Sequence, residues 1–199
     1  MFTKASYVGF TAPPFANIFI DPDLDKEMEQ EDIFPKDYIY CLDAPSNYIG
    51  ARDIFGDDAK YAYMIKEIDV DELEDTISTS LKKDDYIREI PDSLKEAIRH
   101  YMIANAIRDL RGQAKKHRSM MINVTFLTTL HSDIENHVRR YVKEVQDSVR
   151  IYSKLKDEQA LEDENIKELY EVFCNDFEEK EYEWEEVKSN LLKAIEPIL

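Results

Sequence analysis

His131 and Glu135 stand four residues apart, as do Asp133 and His137. On a helix each pair would share a face and could offer two ligands to a metal ion. Such pairs are also common on solvated helices, and no third ligand stands nearby, so a solvated face is the favoured reading. Pro91-Asp92 together with Glu178-Glu179-Lys180 matches the pattern of restriction-type nucleases. In that pattern carboxylates hold magnesium and a lysine steadies the attacking water. Its second element belongs on a strand, yet here it falls in a glutamate run between helical patterns. Cys41 and Cys174 are isolated, with no paired spacing and no histidine close in sequence, and G-x-S-x-G is absent. The expectation is a chain that is not an enzyme by itself.

Cations gather once, at Arg108, Arg111, Lys115, Lys116, His117 and Arg118, against a formal net charge of −17. Arg111, Lys115, Lys116 and Arg118 are the candidate contacts to nucleic-acid phosphates. The plainer alternative is that the first of these cations complement a helix dipole at its C-terminal end. Only four glycines occur, where average usage would give roughly fourteen. Neither G-x-x-x-x-G-K-[ST] nor G-x-G-x-x-G is found, so no loop is marked to cradle nucleotide phosphates.

The elements that would position these residues follow from periodicity. Pro91-Asp92-Ser93 opens a helix in which Leu94, Ala97, Ile98, Tyr101, Met102 and Ala104-Asn105 recur at three and four, and Gly112 suits its end. Ser119 to Leu127 reads as a strand buried on both faces. Thr128 or Thr129 caps a long helix to about Lys156, with Leu130, Ile134, Val138, Val142, Val145 and Val149 on one face. Shorter strands are expected at Ser6–Phe10, Tyr38–Leu42 and Tyr61–Ile68, and Phe15–Ile20 is a further apolar run. Ser46 or Asn47 could cap a helical turn ending at Gly56, and Val70–Leu81 could form a short helix. From Leu161 the chain suggests two glutamate-rich amphipathic helices. Helix, strand, helix is the rhythm of an open sheet. The expected fold is therefore α/β and α-rich: a partial open sheet of a few strands, long amphipathic helices and an acidic helical C-terminal part.

With 43% hydrophobic and 11% aromatic residues, the 199-residue chain can build a core. No run approaches the roughly 18 apolar residues of a membrane span. Met1 to Phe10 lacks the pattern of a signal peptide. These features, with two unpaired cysteines, point to a reducing cytoplasm and no membrane partner. The charge of −17 repels phosphate backbones overall, so the chain alone should bind duplex DNA weakly.

Tyr7-Val-Gly-Phe-Thr-Ala-Pro-Pro-Phe-Ala-Asn17 resembles the third motif of superfamily-two helicase motors, Gly-(Tyr/Phe)-Thr-Ala-Thr-Pro. It is more closely similar to the Z1 (Z-one) family of proposed endonucleases, in which that motif continues into Phe-Ala-Asn. Pro45 to Gly50 with Asp53 to Gly56, and Leu94 to Gln113 with His117 to Thr125, are similar to further stretches of that family. Pro13 stands where the motor motif usually has threonine. Asn123 and Phe126 stand where the family strand has histidine and arginine.

The resemblance implies an internal piece of a larger ATP-dependent, DNA-translocating, helicase-like protein of a restriction or defence system. Its divisions would be the tail of the first motor lobe with a linker (1–43), a connecting insertion (44–90), the start of the second lobe (91–156) and an acidic helical segment (157–199). Thr11, Ala12, Pro14 and Asn17 would couple ATP hydrolysis to movement on DNA. ATP and magnesium would be held by the rest of the parent protein, which is the implied partner along with DNA. The competing reading is an acidic helical protein–protein interaction module that uses no ATP.

Overall fold

The computed structural model describes residues 8–10, 39–69, 71, 76, 86–124, 128–177 and 181–198. The chain divides into two units, 1–65 and 66–199. In the first, Pro45 accepts a turn hydrogen bond from Tyr48 N–H, and helix α1 runs Ala51–Phe55. Gly50 N–H donates to the Asp53 carboxylate at 2.9 Å, which ties down the helix start. A single 3₁₀ turn follows at Ala62–Met64. Neither element has a buried residue.

The second unit is built on α2 (Asp92–Leu110), α3 (Thr128–Tyr152), the short α4 (Asp157–Ala160), α5 (Glu164–Asp176) and α6 (Trp184–Ile195). Helix α2 is central and packs against both α5 and α6. It therefore buries a broad face: Ile98, Met102, Ile103, Ala106 and Ile107, with Arg99 and Asn105 among them. Helix α3 buries the expected stripe, from Leu130 through Ile134, Val138, Val142 and Val145 to Val149. Facing these are Ile166, Leu169 and Phe173 of α5, and Val187, Leu191 and Ile195 of α6. Asp163 caps α5 by accepting from Ile166 N–H at 3.1 Å.

Side chains also stitch the helices together. Arg99 Nη1 of α2 donates to Tyr141 Oη of α3 and to Glu168 of α5, both at 2.6 Å. Gln146 of α3 donates to the carbonyls of Ile195 and Ile198 at the end of α6. Buried Lys188 of α6 donates to the Leu155 carbonyl at 2.8 Å and pairs with Asp157.

The expected α/β class is overturned: the structure is all-α, with no strand among the described residues. Residues 8–10 and 39–42 form no strand, and the Tyr61–Ile68 stretch is interrupted by the 3₁₀ turn. The stretch Ser119–Val124 forms no strand. Met120, Ile122 and Val124 pack against the helical core, while Ser119, Met121 and Asn123 face out. A short apolar run fixes burial, not pairing, and here helices rather than neighbouring strands take the buried face. Phe15–Ile20, most of Val70–Leu81 and residues 125–127 lie outside the described residues.

Helix α2 ends as its glycine suggests. Gly112, at φ 74°, donates to Asp109 O at 3.0 Å, and Gln113 N–H reaches back to Arg108 O at 2.9 Å. Both bonds satisfy carbonyls that the helix end leaves open. A Cβ at Gly112 would meet nothing within 4 Å, so the cost of a side chain there is purely conformational. Gly112→Ala should destabilise by about 1 kcal/mol, and Gly112→Asn by less, because asparagine tolerates the left-handed region. Urea denaturation midpoints of the two variants check this; equal, negligible shifts would contradict it.

Candidate functional site: a cleft with a basic rim

The turn at Gly112 throws the chain back across α2, and the returning loop walls an open cleft of about 470 Å³. Its apolar sides come from Ile98 of α2, Met120 and Ile122 of the segment between α2 and α3, Val138 and Val142 of α3, and Ile198 after α6. Lys115, Lys116 and His117 form its rim and are exposed. Neither lysine has a carboxylate partner among the described residues.

The arginines of the cluster behave differently. Arg118 Nη1 donates to the Asp109 carboxylate at 2.6 Å and to Asn105 O at 2.9 Å. Asp109 is only 3% exposed at its side chain, so Arg118 neutralises a carboxylate that cannot hydrate. Arg108 donates to Gln113 Oε1 and His117 O, both at 3.2 Å. These two arginines lash the loop to α2 and hold the lysines at the mouth. Arg111 points elsewhere: it pairs with Glu181 at 2.6 Å, beside a smaller cavity of about 200 Å³ lined by Phe173, Phe177 and Tyr182. Of the four candidate phosphate contacts, the structure brings Lys115, Lys116 and Arg118 to one cleft and leaves Arg111 outside it.

The other candidates disperse. Asp133 accepts from Ile87 N–H at 3.3 Å, and His137 Nε2 meets Ile87 O at 2.8 Å. This i, i+4 pair therefore grips one backbone unit and seats Ile87 in the core. Glu135 is engaged by Arg139 at 3.0 Å. No group of three histidine, cysteine or acidic side chains is placed to hold a metal among the described residues. Asp92 pairs with Lys95 in the first turn of α2, while Glu178-Glu179-Lys180 falls outside the described residues. So do Thr11, Ala12, Pro14 and Asn17. Among the described residues no helix is long and apolar enough to cross a membrane.

Sequence reasoning passed over Asn105 as a site residue. It lines the cleft although only 3% exposed. The available signal was a polar residue on the periodic apolar face of α2.

An all-helical domain with a cation-rimmed cleft is the class that fold and site define. Residues 93–199, more than half of the chain, match the Z1 domain, and the chain belongs to the Z1 domain family. The matched region takes in both the helix-and-loop stretch that borders the cleft and the acidic C-terminal helices. No curated protein and no solved structure matches the chain.

Proposed function

We propose that this chain is a non-catalytic segment of an ATP-dependent, DNA-translocating, helicase-like endonuclease of a restriction or defence system, acting in the cytoplasm. Its part is to hold the nucleic-acid backbone at the Lys115–Lys116 rim. The observation that carries this is the pair of exposed lysines without carboxylate partners, held by two tethered arginines in a chain of net charge −17. Family membership and the resemblance of Tyr7–Asn17 to a motor motif lend it support. ATP and magnesium belong, on this reading, to the rest of the parent protein. This chain has four scattered glycines, neither phosphate-loop pattern, and no three-ligand cluster among the described residues to hold magnesium on a triphosphate.

Changing Lys115 and Lys116 together to alanine in the full-length parent should weaken DNA binding about equally for all sequences. It should also flatten the dependence of log affinity on log salt by roughly two units, one per lost phosphate contact. Both side chains are exposed, so the fold should be unaffected. A double variant with unchanged affinity and unchanged slope removes the rim from the DNA track.

A second reading has its own observation. Tyr40, Tyr48, Phe55 and Tyr63 are each more than 60% exposed in the first unit. So many uncovered aromatics favour a protein-docking module that uses no ATP. Under that reading the lysine double variant leaves DNA binding untouched.

A further inference from the structure

Phosphate contact at the rim leaves the inside of the cleft without a role. Asn105 sits there, 3% exposed. Its backbone carbonyl accepts from Arg118, while its side-chain amide makes no hydrogen bond among the described residues and is not fully enclosed, so it is open to the cleft. Buried amides are ordinarily satisfied, so an unpartnered one facing a cavity calls for a ligand or an ordered water. The amide offers one donor and one acceptor side by side. Its complement is a flat edge carrying an acceptor next to a donor, as adenine does with N7 and N6. The cleft suits the remainder of such a molecule. Ile122 and Val138 supply apolar walls for a base, Tyr101 adds an aromatic ring, and Lys115 and Lys116 stand at the mouth for a phosphate. The volume of about 470 Å³ lies within the range of small-molecule sites.

We propose that this cleft binds one adenine nucleotide, with the base edge on Asn105 and the phosphate at Lys115 and Lys116. The inference rests on the reading of those lysines as phosphate contacts. The nucleotide could be free, or an unpaired adenosine within a DNA strand; the recognising chemistry is the same.

The test titrates the full chain calorimetrically with dAMP, dTMP and deoxyribose 5-phosphate. It repeats the comparison with a duplex carrying one unpaired adenine or one unpaired thymine. Adenine should be preferred over thymine by about tenfold, the discrimination of one bidentate amide pair. Asn105→Leu should abolish the preference, while Lys115→Ala with Lys116→Ala should weaken adenine and thymine ligands by one common factor. Preference among mononucleotides identifies a free-nucleotide site, and preference only within the duplex identifies an extrahelical base; either supports the proposal. The wild-type series needs no variant and so stands even if Asn105→Leu fails to fold. Equal binding of dAMP and dTMP with equal binding of both duplexes, or no binding of any of them, overturns it. If the base series is flat while the lysine variant still lowers the parent's salt slope, the nucleotide site falls and the backbone-contact reading survives.

Discussion

Phe173→Ala should cost about 4 kcal/mol, whereas Phe173→Leu should cost about 1 kcal/mol. Phe173 is 2% exposed and lies in an aromatic knot that joins α5 to α6. Its ring centroid is 5.5 Å from that of Trp184 and 6.4 Å from that of Phe177, and Tyr170 approaches Trp184 at 5.3 Å. Truncation removes apolar contacts on every side. It also opens the site into the existing cavity of about 200 Å³ that Phe173 lines. Helices pinned by Arg99 and Lys188 cannot close over a void of that kind, so the cavity contribution should be near its full size. Leucine keeps most of the volume and loses mainly ring–ring contacts. Denaturant midpoints at unchanged slope check the pair. An alanine variant within 1 kcal/mol of wild type would mean that the knot collapses freely and that α5 is not held by its neighbours.

The parts of the fold that were legible in the sequence are those whose signal is repeated. Helix α3 carries its apolar stripe through six positions from Leu130 to Val149, and the expected helix outran the observed one only past Tyr152. The end of α2 was marked by one residue whose conformational freedom the turn requires, Gly112. The acidic helices from Glu164 and Trp184 emerged by the same periodicity, despite their charge. The strands failed for a physical reason. An apolar run such as Met120 to Val124 states that something covers it, and helices covered it here. A ladder depends on a neighbour from any other part of the chain, and local pattern is silent about that.

The site divided in the same way. A cation cluster is visible in any listing of residues, but which cations are spent on the fold is not. Arg118 and Asp109 are nine residues apart, and Arg111 and Glu181 seventy. Only the chain reversal at Gly112 and the return of the acidic segment make those pairs. What remains at the rim, Lys115 and Lys116, is the remainder after these long-range neutralisations. Asn105 was hidden by its setting, because a polar residue flanked by alanines in a helical stripe reads as part of the stripe.

Arg99 gives the sharpest test of what holds the helices in register. Its side chain is 10% exposed, and its one well-used nitrogen serves both Tyr141 and Glu168 at 2.6 Å. Its Nε has no partner among the described residues, so little else compensates the charge. Burial pushes the Tyr141 phenol up from its usual range, with Arg99 pulling part of the way back. That phenol stays neutral in the fold, and its contribution to stability is present below its ordinary pKa and lost as pH climbs beyond it. Glu168→Ala strands a guanidinium that cannot shed its proton, and should cost about 3 kcal/mol. The lower end of the range applies because Glu168 is itself 35% exposed at its side chain. Arg99→Met removes the charge and keeps the apolar stem, while Glu168 turns to solvent. The remaining cost is an unpaired Tyr141 hydroxyl, about 1 kcal/mol. In the double variant, Arg99→Met with Glu168→Ala, the stranded charge is gone, so stability should return to near that of Arg99→Met alone. Urea denaturation of the three variants measures the coupling. Additive losses, or Arg99→Met costing more than Glu168→Ala, would show that Arg99 contributes by packing rather than by satisfying the Glu168–Tyr141 pair.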